Sequence, residues 1–345
     1  MNEKPLVSIV KGDDETIENT VYKSIDLIDG LSDLKGRKIV SIKPNLCRPL
    51  SSQSGATTDP RIVEAVIKRI NSIQKCEIQI VETNNFKASA EATFKRLGYL
   101  DLANKYSNVN CVNLSKEETL RVSINGKIFK TLRVPECMIF SDYMISVAKL
   151  KTHVDYYYTG ILKNAFGFLP SPLKRSSYHG FMHEVLVDLN TIYRPDLAII
   201  DGIVGMEGFG PVDGKPKYLG VIVSSKDPVA ADSVAAQIAG FKASKIKYLK
   251  CAEKKGLGST KDIEIVGCSL QEVKTRLEFI PLKWFYLGKL SLTIQRFSRR
   301  LSNFARLLSL SRSAMATIGY SDLSKRLSIA DLMSLAKDTV FKIAD

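Results

Sequence analysis

One local pattern limits the fold of this chain more than any other. A short apolar run, a polar loop and an Asp-Pro pair opening an amphipathic stretch occur together twice. Lys38 to Lys43 reads as a strand, and Asp59-Pro60 then starts a helix running through Ile70. Val221 to Val223 is a second strand, followed by Asp227-Pro228 and a helix through Ala239 capped by Gly240. Asp suits the N-cap and Pro the first helical turn. Between them, Ile78 to Glu82 reads as a strand and Ala88 to Leu97 as a helix with Gly98 as its C-cap, while Met144 to Leu150 and Leu197 to Ile200 read as buried strands. Strands alternating with helices predict an α/β fold, a mainly parallel sheet with helices on both faces. One hairpin interrupts the alternation, where Leu120 to Ile124 and Lys127 to Leu132 flank Asn125-Gly126.

Composition adds exclusions. With 345 residues, 45% apolar and 25% charged, the chain is neither disordered nor fibrous, and it buries a core without disulfide staples. Cys47, Cys76, Cys111, Cys137, Cys251 and Cys268 form no CxxC pair. That excludes a zinc ribbon or ferredoxin-type run and makes a reducing cytoplasm the expected location. Residues 1–30 lack the apolar core of a signal peptide, and no 18-residue apolar run suggests a transmembrane helix. The net charge is +14, and half of it lies between Pro281 and Asp345, where eleven bases accompany four acids. The expected division is an α/β domain over 1–275 and a basic amphipathic helical extension over 276–345.

Ligands of open α/β sheets sit beyond the carboxyl ends of the strands, so the polar residues there are the site candidates. Lys43 and Asn45 end the first core strand. With Thr58 and the Asp59 helix start they make a candidate anion site, because terminal N–H groups and the helix dipole favour negative charge. A solvated loop with a good N-cap is the competing reading. The middle segment holds Lys149-Leu150-Lys151-Thr152-His153, Thr159 to Gly167, Lys174-Arg175 and Tyr178 to His183, with all three histidines of the chain. Lys151, His153 and Lys163 are the candidates for donor and acid–base work, and Asn164 and Lys174 for anion or cofactor contact. His179 and His183 share a helix face. With Asp201 and Glu207, on a glycine-rich loop expected over 201–211, they are candidate ligands of a divalent metal; a core or capping histidine and a turn-rich loop are the plainer alternatives. Asp227 reads as an N-cap, and Asp232, inside a helix, needs a partner.

These segments, taken in order from Lys43-Pro44-Asn45 through Lys149 to His153, Thr159 to Gly167, Asp201-Gly202 and Asp227 to Asp232, resemble the domain of unknown function 362 family. The resemblance covers Lys38 to Cys268, and its most specific part is the Lys-Thr-His and Thr-Gly-x-x-Lys-Asn succession. Many members carry a ferredoxin-like region with two iron–sulfur clusters. This chain lacks its CxxCxxC run, so no cluster of its own is expected. A weaker similarity, to the catalytic domain of nickel-pincer racemases, implies that Lys163 or Lys174 and His153 or His179 face a cofactor.

The C-terminal stretch has no acidic residue from Phe279 to Ser321, and Leu290, Ile294, Phe297, Leu301, Phe304 and Leu308 make one helical stripe. Such a helix packs on the body or on a second subunit, lies in a membrane surface, or contacts RNA. The leading functional expectation is an enzyme acting on or with an anionic small molecule or cofactor at a Lys/His-rich cleft. The alternatives are an adaptor that binds a membrane periphery or RNA through its tail, and a redox partner of a separate ferredoxin.

Overall fold

A computed structural model describes residues 4–280 of the chain. The strands are Leu6–Lys11 (β1), Ile39–Pro44 (β2), Glu77–Glu82 (β3), Val109–Asn113 (β4), Thr119–Ser123 (β5), Thr131–Pro135 (β6), Tyr143–His153 (β7), Tyr157–Thr159 (β8), Leu197–Glu207 (β9), Lys215–Ser225 (β10) and Glu264–Gly267 (β11). Nine of them make one mixed sheet in the order β11-β1-β10-β9-β7-β2-β3-β4, with β8 folded back on β7. The β9-β7-β2-β3-β4 run and the β1–β11 pair are parallel, whereas β10 runs antiparallel to both its neighbours. The mainly parallel α/β architecture is therefore as the alternation predicts.

Period-two alternation explains the layers. Along β7, Tyr143, Ile145 and Val147 face a core shared with the helices Ile17–Asp26 and Pro60–Ile73. Ala148 and Leu150 face the opposite core, with Leu186, Val229, Val234 and Leu249 from the helices on that side. Both Asp-Pro starts cap as expected: Asp59 accepts the Arg61 N–H, and Asp227 accepts those of Val229 and Ala230. β1 and the helix Ile17–Asp26 carry no signal that the sequence reading used.

Two expectations are corrected. The glycine-rich stretch after Ile200 is not a loop from Asp201: β9 continues to Glu207 and pairs with β10. Its glycines serve close approach. A side chain on Gly205 would run into Leu150 O, and one on Gly55, itself at φ +73°, into Gly205 O. The hairpin pairs Ser123 with Thr131, so Lys127 lies in the connection rather than in a strand. The buried Asp188 carboxylate dictates this by accepting the N–H groups of Lys127, Ile128 and Phe129 at 2.7–3.0 Å, which pins the connection to the helix Met182–Ile192. Beyond residue 280, the basic extension and its Leu290 to Leu308 stripe lie outside the described residues. Among the described residues no helix is long and apolar enough to cross a membrane.

Candidate functional site

The carboxyl ends of β2, β3 and β7 open onto a cavity of about 230 Å³. Six of its described lining residues are bases, Lys43, Arg48, Lys87, Lys151, Lys163 and Arg175, against one acid, Glu82.

Lys43 and Glu82 end adjacent parallel strands, so their side chains meet. Lys43 Nζ donates to Glu82 Oε2 at 2.7 Å and to Pro44 O at 2.7 Å. Glu82 also accepts the N–H groups of Leu46 and Thr83. Its charge is thus already matched, and burial holds the Lys43 ammonium below its usual pKa. Gly167 leaves the room in which Lys43 lies, since a Cβ there would sit 3.0 Å from Lys43 Nζ.

Lys149 and Lys151, two apart on β7, lie on one face of the sheet and have different partners. Lys149 Nζ donates to Asp201 Oδ2 at 2.8 Å on the neighbouring β9, both side chains being essentially inaccessible. Lys151 Nζ reaches Asn45 Oδ1 at 3.1 Å, Cys47 Sγ at 3.2 Å and Ala56 O at 2.5 Å. Burial lowers its pKa as well.

Lys163 is placed by a carboxylate on another element. Asp232, in the helix Pro228–Ile238, accepts the N–H groups of Ile161 and Leu162 at 2.6 and 2.9 Å and the Tyr158 hydroxyl at 3.2 Å. These three donors are the partners its buried position requires. Gly160 admits the carboxylate, because a Cβ would overlap Asp232 Oδ1. Desolvation raises Asp232 to about 7. The short helix Ile161–Asn164 so anchored presents Lys163 and Asn164. Asn164 Nδ2 ties the turn to β2 and β7 through Lys43 O and Ser146 Oγ. Lys163 Nζ stands over the rings of Tyr156 and Phe166, 5.7 and 5.9 Å from their centroids. Among the described residues it has no hydrogen-bond acceptor or carboxylate partner. Desolvation, then the neighbouring Lys151 charge, lowers its pKa to about 8. In the lining of the same cavity the Thr159 hydroxyl, on a residue only 3% exposed, has no hydrogen-bond partner either.

The sequence candidates therefore divide. Lys43, Asn45, Lys151, Lys163, Asn164 and His179 line one cavity. Thr58 and Asp59 do not: the Thr58 hydroxyl is held between Asn45 N and Val147 O, and Asp59 caps its own helix and binds Arg61 and Ser52. The N–H groups proposed for an anion are thus occupied from within. His153 lies behind Tyr156, with ring centroids 5.0 Å apart. Its Nδ1 accepts the Asp155 N–H, and burial and nearby positive charge drive its pKa well below 6.5, so it is neutral. Lys174 lies on the helix Pro172–Ser177, and its side chain is outside the described ones.

The four-residue metal set does not assemble. Asp201 is consumed by Lys149 and by the N–H groups of Asp59 and Ile203. Glu207 pairs with Lys217 and accepts the Glu278 N–H beside a different pocket. His183 packs edge-on to Tyr156 away from the cavity, whereas His179 is at its rim. Among the described residues no three His, Cys, Asp or Glu side chains gather to hold a metal ion. The six cysteines are free, and among the described residues no three of them gather.

Glu82 and Thr83 were missed, whereas Thr159 and Arg175 stood in the middle segment without a role of their own. Glu82, Thr83, Arg175 and Thr159 all line the cavity. Glu82 and Thr83 follow from the strand-end rule, applied to β3 as it was to β2. Nothing in the local sequence marks the lack of a partner at Thr159.

Fold and site together define an α/β protein with a basic cavity at the carboxyl edge of a mainly parallel sheet. The family model described as a domain of unknown function (DUF362) matches residues 40–237, more than half of the chain, and the chain belongs to that family. The thylakoid-associated protein sll1697 of Synechocystis sp. (strain ATCC 27184 / PCC 6803 / Kazusa) is 27% identical over 228 residues, 64% of this chain and 69% of that protein. Among solved structures, the lactate racemase apoprotein of Thermoanaerobacterium thermosaccharolyticum superposes with a TM-score of 0.43 at 12% identity, covering 66% of this chain. The chain spans 55% of that racemase's length.

Proposed function

We propose that this protein binds a small anionic molecule in the Lys43–Lys151–Lys163 cavity and acts on it with Lys163 as the proton-transferring group. One observation carries the reading. Among the described residues the one carboxylate lining the cavity is already neutralised by Lys43, while the Lys163 amine and the buried Thr159 hydroxyl have no hydrogen-bond partner. A site with surplus donors and unmatched positive charge favours an anion, and each charge-assisted hydrogen bond contributes about 1.5–3 kcal/mol. An amine with a pKa of about 8 exchanges protons near neutrality, as a general acid–base group must.

Thermal melts with inorganic phosphate and malonate test this. Both raise the melting temperature of the wild type, and Lys163→Met, which loses no hydrogen bond of the fold, abolishes most of the rise. Equal shifts in the two proteins, or none in the wild type, would sink the reading.

A second reading is peripheral contact with a membrane surface. The Synechocystis relative is a thylakoid-associated protein, and eleven bases accompany four acids in residues 281–345. Flotation of the full chain with anionic vesicles, but not with neutral ones, and release by salt are its signature. Equal recovery with both vesicle types removes it.

A further inference from the structure

We infer that the ligand of this cavity carries a carbonyl group as well as its negative charge, and that Lys163 captures that carbonyl as an imine. The inference deepens the anion reading and rests on it for the choice of substrate class, an oxo-carboxylate or a phosphorylated aldehyde.

Among the described residues four lysines line the cavity; Lys87 is exposed, and the structure separates the roles of Lys43, Lys151 and Lys163. Lys43 is tied to Glu82 and Pro44 O, and Lys151 to Asn45, Cys47 and Ala56 O. Each is held by acceptors that stabilise its protonated form. Lys163 has aromatic faces instead, Tyr156 and Phe166. Among the described residues no carboxylate bonds to it, and its helix is fixed in place by Asp232 rather than by its own amine. An amine that is positioned by its backbone, flanked by hydrocarbon and left without an acceptor is the arrangement in which a lysine serves as a nucleophile. Burial also displaces its titration to about 8, so at pH 7 it holds on the order of 100-fold more free base than an ordinary lysine.

The electrostatics choose the partner. Lys151 and Arg175 line the same cavity and supply a positive field for a carboxylate or phosphate, and the unpartnered Thr159 hydroxyl supplies a neutral donor. The step balances without a further reagent. The Lys163 nitrogen forms a bond to the carbonyl carbon. Both amine hydrogens leave with the carbonyl oxygen as water, and a C=N bond replaces C=O.

Glyoxylate is a suitable probe, since it is a small aldehyde carrying a carboxylate. The full chain is incubated with it at pH 7 in the presence of cyanoborohydride, which reduces an imine to a stable carboxymethyl amine, and the labelled peptides are mapped. Lys163 is expected to carry at least about ten-fold more label than the mean exposed lysine. Excess malonate should suppress that label while leaving surface labelling unchanged. Labelling of Lys163 no greater than that of exposed lysines overturns the inference, even where malonate still raises the melting temperature and the anion reading stands. Strong Lys163 labelling that malonate does not compete keeps the nucleophile and overturns the anionic substrate class. Lys163→Arg retains the charge but cannot form the imine; it should keep the malonate shift and lose the dominant label.

Discussion

Replacing Lys149 by Met tests whether Asp201 belongs to the chemistry or to the frame. The two side chains are 1% and 0% exposed and 2.8 Å apart. Asp201 also accepts the N–H of Asp59 at 2.9 Å and of Ile203 at 3.2 Å. It therefore joins β7, β9 and the start of the helix Pro60–Ile73 through one carboxylate. Met fills the volume of the lysine stem but leaves a buried carboxylate facing two N–H groups and no cation. Removing one partner of a buried pair costs about 3–5 kcal/mol. At about 2–3 °C per kcal/mol for a domain of this size, the melting temperature falls by about 6–15 °C. The double variant Lys149→Met/Asp201→Asn removes the orphaned charge and keeps an acceptor for Asp59 N, so most of the loss returns. Urea melts of the wild type, both single variants and the double variant give the coupling energy directly. A loss below about 1 kcal/mol in Lys149→Met, or a double variant equal to the sum of the singles, would refute a framing role for the pair. A carboxylate kept for chemistry would instead give a neutral or stabilising Asp201→Asn.

Three further outcomes follow from the same geometry. Burial raises the folded-state pKa of Asp232 from 3.8 to about 7, so the native state holds that proton more tightly than the unfolded chain. Its contribution is present at low pH and is lost as pH rises through about 7, with a span on the order of 4 kcal/mol. Urea melts between pH 5 and 8 should show this slope in the wild type and not in Asp232→Asn; parallel profiles would contradict it. Gly55→Ala should cost at least about 2 kcal/mol, because φ is +73° and a Cβ meets Gly205 O. Gly36→Ala, with φ +86° and nothing near its Cβ, should cost about 1 kcal/mol by chemical denaturation. Acylation of Lys163 should follow an apparent pKa of about 8; a midpoint near that of ordinary lysines, about 10.4, would show that the amine is not desolvated.

The backbone frame was legible because its signals are local. Asp59-Pro60 and Asp227-Pro228 announce helix starts by capping chemistry, and Val40, Ile42, Ile78 and Ile80 announce strands by β-branched runs. Three cations of the cavity lining were also legible, since Lys43 and Lys151 lie near the carboxyl ends of β2 and β7 and Lys163 in the short helix after β8, where a parallel sheet gathers its loops. What failed depended on partners distant in sequence. Asp201 and Glu207 look like loop carboxylates until β10 pairs with β9 and Lys149 and Lys217 come into reach. Thr58 and Asp59 look like an anion cradle until their own hydrogen bonds are counted. The histidines drew attention as the usual proton carriers. Yet His153 is held neutral beside Tyr156, and in the cavity it is the amine of Lys163 whose pKa is lowered to about 8. Its reduced affinity for a proton comes from burial and from Lys151, which no spacing rule reveals.

The proposed site requires cations from separate strands and helices to converge on one anion. A crystal soaked in selenate and measured at the selenium edge tests this most directly, because the anomalous signal locates the anion without reference to any chemistry. The predicted result is a peak within hydrogen-bonding distance of Lys163 Nζ, on the side of Thr159 and Arg175, that is absent in Lys163→Met. Peaks confined to exposed lysines elsewhere, with none in the cavity at saturating selenate, would contradict it.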